Sequence, residues 1–206
     1  MRNFIRLVVI YICAAFISTA QGATDIKAPF GFVWDQTESA LRARGLVLNC
    51  SIMANLPINS CKVTTAPKKF SKAEFFQLLF VPNEGLQKVM MVGKDITGDP
   101  YGSSGKEQYN ALKVSLTKKY GDPKTFEYGA IELYKDADEF YECLAYQNCG
   151  TQAAYWTENV TGTIALELDG LSRGKGYLTL KYESARWSDL IDKMNNDLSA
   201  GDDDSL

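Results

Sequence analysis

The sequence predicts an α+β fold, with a mainly antiparallel sheet in two helix-then-strands halves and a C-terminal helix. Three observations carry this expectation. Ile164, Leu166 and Leu168, then Leu178, Leu180 and Tyr182, alternate with period two, as half-buried strands require. Tyr109, Leu112, Leu116 and Tyr120 recur at helical spacing. Strand-like segments follow one another across turns, which favours antiparallel pairing.

The N-terminus stands apart from this pattern. Arg2 and Arg6 carry positive charge, an apolar run covers 7–17, and small residues follow at Ser18, Thr19, Ala20 and Gly22. These are the three parts of a secretory signal peptide, expected over residues 1–22. Small residues at −3 and −1 fit cleavage after Ala20 or after Gly22, and Gly22 is preferred. The run is shorter than the roughly 20 residues of a comfortable membrane span, which argues against an uncleaved anchor. Cys13 lies inside the run, where a lipoprotein signal would place it after small residues. The expected organisation is the signal peptide, a single α+β domain over 23–198 with halves about 31–94 and 104–183, and a flexible acidic tail over 199–206. No stable membrane insertion is expected after cleavage.

The chain has 206 residues and a net charge of −3. Loss of residues 1–22 removes two arginines and no acid, leaving 20 basic residues against 25 acidic ones, or −5. Nucleic acid is therefore not the expected partner, since phosphate binding needs a basic surface. Four cysteines remain, Cys50, Cys61, Cys143 and Cys149. An even number in an exported chain points to disulfides, and the local pairings Cys50–Cys61 and Cys143–Cys149 each close a small loop. Each is worth roughly 2–3 kcal/mol by the chain-entropy estimate. With no CxxC spacing and no histidine, neither a metal site nor a cofactor is expected.

Along the chain, Asp35 and Glu38 have capping-box spacing before a short helix ending at Gly45. Segments 46–54 and 60–66 read as strands stapled by the first disulfide. Segments 75–81 and 86–93 flank a PNEG turn and read as a hairpin. Ser104 and Glu107 open the longest helix, 104–120, which stops at Gly121-Asp122-Pro123. Segment 125–134 reads as a strand, 136–149 as an acidic loop or short helix, and 151–158, 162–169 and 175–183 as strands. A last helix, about 185–198, carries Trp187, Leu190, Ile191, Met194 and Leu198 on one face.

Absence of histidine removes the commonest general base and the Ser-His-Asp and Cys-His nucleophile systems. The stretch GDPYGSSGKE at 98–107 fails the phosphate-loop pattern, with Pro100 where glycine is needed and Glu107 where Ser or Thr is needed. Asp136, Asp138 and Glu139 have partial calcium-loop spacing, without the glycine and distal glutamate. The same residues, with Tyr141, Glu142 and Tyr146, form the candidate binding surface. The Cys143–Cys149 bridge would hold them rigid, and tyrosines are common at binding hot spots. Trp34 and Trp156 are read as core residues, and Arg173 and Lys175 as a solvated hairpin tip. No catalytic residue is assigned.

Phe32-Val33-Trp34 before a capped helix, Lys119-Tyr120-Gly121-Asp122-Pro123 closing one, Trp156 before a strand, and GYLTLKYE at 176–183 give a further pointer. In these the chain resembles a loose group of exported bacterial proteins that mostly lack assigned functions. Its layout is similar to the tandem arrangement of the β-lactamase inhibitor protein and of the BamE-like outer-membrane assembly lipoproteins. It departs from the latter in lacking a lipobox cysteine. The resemblance implies action by binding another protein and carries over no catalytic residues.

The resulting expectation is a soluble periplasmic or secreted protein that binds and inhibits or neutralises another protein. An immunity protein against a toxin and an inhibitor of an envelope enzyme both fit. The alternative is an envelope enzyme or ligand carrier using paired carboxylates or an aromatic groove.

Overall fold

A computed structural model describes residues 23–129 and 133–203; the signal-peptide expectation falls outside them. Eight strands form one antiparallel sheet: β2 (Asn49–Ile52), β3 (Asn59–Val63), β4 (Ala73–Val81), β5 (Gly85–Gly93), β6 (Lys124–Tyr128), β7 (Thr151–Trp156), β9 (Thr163–Ser172) and β10 (Lys175–Glu183). A parallel pair, β1 (Thr24–Asp25) with β8 (Val160–Thr161), ties down the N-terminal segment. Helices α1 (Glu38–Ala43), α2 (Ser103–Tyr120), α3 (Phe140–Ala145) and α4 (Trp187–Asp203) complete the α+β fold.

The sheet order is β2-β3-β4-β5-β10-β9-β7-β6. Each half is a four-stranded meander, and the last strand of one lies beside the last strand of the other, with Leu180 opposite Met91. One face carries Phe76, Leu78, Val89, Met91, Leu166, Leu168, Leu178 and Leu180, which pack in the main core with Leu41 of α1, Tyr109 and Leu116 of α2, and Tyr141 of α3. Burial of each such side chain stabilises by about 1.5–3 kcal/mol. Trp156 belongs to this core, its Nε1 donating to the Gly121 carbonyl at 2.8 Å. Both disulfides form as expected, and Cys50 and Cys61 are direct cross-strand neighbours.

Local corrections have clear causes. Thr37, not Asp35, caps α1: its Oγ1 accepts the Ala40 N–H at 3.2 Å. Asp35 instead takes a left-handed φ of 63° and accepts from Gln87 Nε2 at 2.7 Å. Helix α2 starts at Ser103 behind Gly102, with no side-chain cap on its own N-cap residue. The Asp99 carboxylate does that work from outside the helix, accepting the Gly105 N–H at 2.9 Å and the Tyr141 hydroxyl at 2.8 Å. Burial pushes the Asp99 carboxyl up, but the donors from Gly105, Tyr141, Ser104 and Ser103 outweigh it and hold it below the ordinary range. Strand β6 ends at Tyr128, six residues short of the expected end, while α4 continues through Asp203.

Candidate functional site

The faces of the sheet differ in what covers them. Because side chains alternate across a strand, Leu79 and Val81 of β4 point away from the main core. With Ile58 they form a second, smaller cluster, against which Trp187, Leu190, Ile191 and Met194 of α4 pack. The helix leaves β10 through a polar junction: Ser184 hydrogen-bonds Gln87, Arg186 pairs with Glu84 and with Asp35, and Lys88 Nζ sits 5.1 Å from the Trp187 ring centre. The apolar stripe of α4 thus covers the Ile58, Leu79 and Val81 patch of the first half's outer face, while Ser60, Lys62, Phe75 and Gln77 on the same face lie outside that cluster.

The outer face of the second half has no such cover among the described residues. Its outward positions include Lys124, Phe126 and Tyr128 on β6, Thr151, Ala153 and Tyr155 on β7, Ala165, Glu167 and Asp169 on β9, and Tyr177, Thr179 and Lys181 on β10. Registers place Phe126, Ala153, Glu167 and Thr179 in one row, and Tyr155, Ala165 and Lys181 in the next. The small side chains make a trough. Phe126 and Tyr155, whose rings meet edge to face at 5.8 Å, stand on one side of it, and Tyr177 lies across β9 beside Asp169. Phe126 and Tyr128 are 37% and 52% exposed, and Tyr155 and Tyr177 are half-buried.

A polar network fixes the centre of this face. Glu167 accepts from Tyr155 Oη at 3.2 Å on one carboxylate oxygen and from Lys181 Nζ at 2.6 Å on the other. Asp169 accepts from Thr179 Oγ1 at 2.7 Å. Burial, aided by the Glu167 charge, pushes the Asp169 carboxyl up against the opposing Thr179 bond and Lys181 charge. Burial and the Glu167 carboxylate raise the Tyr155 phenol; burial, with Asp169 and Glu167, raises that of Tyr177. Both phenols remain donors at neutral pH. A small hollow of about 250 Å³ lies where this face meets Leu144 and Gly150 of the second disulfide loop, with Tyr155, Glu167 and Asp169 on its wall.

The six residues chosen from sequence lie on the 136–146 segment, outside this open face. Asp136 and Glu139 form a reciprocal capping box around the single turn Ala137–Glu139. Asp138 pairs with Arg173, joining the acidic segment to the β9–β10 hairpin tip. Glu142 is half-buried, with Oε2 unpartnered. Tyr146 is 53% exposed and meets Tyr134 edge to face at 5.7 Å. Tyr141 must be corrected from contact residue to core residue. It is 0% exposed and fills a slot under α3 that Gly105, Gly170 and Gly176 leave open, since a Cβ at any of them would collide with it.

Among the described residues the one grouping with metal-ligand atoms close together, Glu38 with Cys50 and Cys61, has both sulfurs consumed in the disulfide. No helix among the described residues is long and apolar enough to cross a membrane. No family model, curated protein or solved structure matches this chain.

Proposed function

We propose that the mature chain is a periplasmic or secreted protein that binds another protein, a delivered toxin or an envelope enzyme, and inhibits or neutralises it through the open face of its second half. The observation that carries this reading is the contrast in cover. Helix α4 covers the aliphatic patch of Ile58, Leu79 and Val81 on the first half, and no helix among the described residues covers Phe126, Tyr128, Tyr155 and Tyr177 on the second. Stiff aromatic side chains on a rigid sheet lose little entropy on binding and are enriched at hot spots. The Glu167–Lys181 pair and the Asp169–Thr179 bond keep the central polar groups satisfied in the free protein. The mirrored sheet order supports the likeness in layout to the β-lactamase inhibitor protein and BamE-like lipoproteins as part of the same proposal.

A carboxylate enzyme is the second reading, favoured by the raised Asp169 beside Glu167 in one hollow. Against it, both Glu167 oxygens already hold partners and the hollow is small.

The test is capture from an envelope extract on immobilised mature chain, with Tyr155→Ala/Tyr177→Ala as the matched control. The expected result is a protein retained by the wild type, lost from the variant, and inhibited stoichiometrically when the purified chain is added back. Equal retention by both chains contradicts the assigned face. Full activity of the captured protein in saturating chain contradicts the inhibitory role.

A further inference from the structure

A second cavity lies on the sheet face that carries α1, α2 and α3, away from the proposed protein-binding face. It is an open cleft of about 690 Å³ between residues 25–34 and the C-terminal end of α2. Ligand sites commonly measure about 300–1,000 Å³. Its floor is aromatic: Phe32, Tyr120 and Tyr182 are buried, and Phe30 and Trp34 form the wall. Three exposed lysines, Lys27, Lys68 and Lys119, stand around the rim against one acid, Asp25. Asp25 is already engaged, accepting from Thr161 Oγ1 at 2.8 Å. Among the described residues none of the three lysines forms an ion pair, so the rim offers net positive charge over an apolar floor.

The wall is built in advance of any ligand. Trp34 Nε1 donates to the Ile26 carbonyl at 2.7 Å, and the Lys68 N–H donates to the Phe30 carbonyl at 2.8 Å. Phe30 holds a left-handed φ of 55°, a strained choice for an aromatic residue, and its ring packs on Phe70 at 5.3 Å and Phe76 at 5.0 Å. The β1–β8 pair fixes the other end of the segment. A wall held at three points lowers the ordering cost of binding.

We infer that this cavity binds a single-chain amphiphile with an apolar tail and an anionic head, of the fatty-carboxylate class. The tail lies on Phe32, Trp34, Tyr120 and Tyr182, and the head is met by Lys68 and Lys119. Charge complementarity selects an anion over a cation, and the aromatic floor selects an alkyl chain over a free inorganic anion. The occupant is a free monoacyl molecule; a bilayer surface is the competing source of the same chemistry.

The test is calorimetric titration of the mature chain with monomeric dodecanoate, read in parallel by tryptophan fluorescence. The expected result is saturable one-to-one binding, weakened at least about tenfold by Lys68→Glu/Lys119→Glu and held within about twofold by Lys68→Arg/Lys119→Arg. Dodecyltrimethylammonium should bind at least about tenfold more weakly than dodecanoate. Both lysines are exposed, so charge reversal should leave the thermal midpoint in place. Absence of saturable binding up to about 1 mM, equal affinity for the two amphiphiles, or binding only to phosphatidylglycerol vesicles would overturn the assignment. Tyr155→Ala/Tyr177→Ala should leave dodecanoate binding unchanged, which separates this site from the protein-binding face.

Discussion

The two halves of the sheet share a plan and differ on their outer faces. In the first half the outward residues Ile58, Leu79 and Val81 form an aliphatic patch that α4 covers, beside the polar residues Ser60, Lys62 and Gln77. In the second half they include Phe126, Tyr128, Tyr155, Glu167, Asp169, Tyr177 and Lys181, and no described helix covers them. The helix docks where the outward residues are aliphatic. Aliphatic side chains call for a helix of the same chain. Tyrosines and paired charges tolerate water and can wait for a partner.

The largest expected effect comes from breaking the covered half. Ile58→Asp places an unpaired charge under α4, where Ile58 is 0% exposed. It should cost at least about 3 kcal/mol in urea unfolding. Tyr128→Asp on the open half should cost under about 1 kcal/mol. Equal losses would erase the distinction between the halves.

Next in size is the binding effect of Tyr155→Ala/Tyr177→Ala. The pair should lose about 2 kcal/mol of partner affinity, roughly thirtyfold, measured by surface plasmon resonance. Its folding stability should fall less than that, because both rings are only half-buried.

Acid titration should separate two carboxylates. Asp169 is raised in the fold, by burial first and the Glu167 charge in support. The folded protein therefore holds the proton more tightly, and stability falls as pH rises from the unfolded value of about 3.9 through the higher folded value. Asp169→Asn should remove that fall. Asp99 is lowered by its four donors despite the opposing effect of burial. Its contribution is present above the unfolded value and lost as pH falls through the folded one. Asp99→Asn should therefore destabilise at neutral pH and converge with wild type in acid. Urea midpoints across pH 2–7 check both signs.

The smallest effect marks where the cover ends. Leu198 shares the apolar stripe of α4 yet is 48% exposed. Leu198→Ser should change stability by less than about 0.5 kcal/mol.

Much of the architecture was legible in local pattern. The helical spacing of Tyr109, Leu112, Leu116 and Tyr120, and the alternation along β9 and β10, depend only on neighbours in sequence. The disulfides were legible because each pair is close in the chain, 11 and 6 residues apart. The open face was not, since it depends on which strands become neighbours and where α4 lands. The one available signal was the second set of alternating positions on β9 and β10. There Glu167, Asp169, Tyr177, Thr179 and Lys181 are polar or aromatic where the inward set is aliphatic. Tyr141 misled because its acidic neighbours look solvated, while its own slot is made by glycines distant in sequence, Gly105, Gly170 and Gly176. Asp99 was hidden for the same reason, since its role depends on Tyr141, 42 residues away.

The most direct measurement is site-specific photo-crosslinking in the envelope. A benzoylphenylalanine would replace Tyr155 or Tyr177 on the open face, and Val114 on the solvent side of α2. One discrete crosslinked partner is expected from positions 155 and 177 and none from 114. Crosslinks from 114 alone, or equally from all three, would contradict the assigned face.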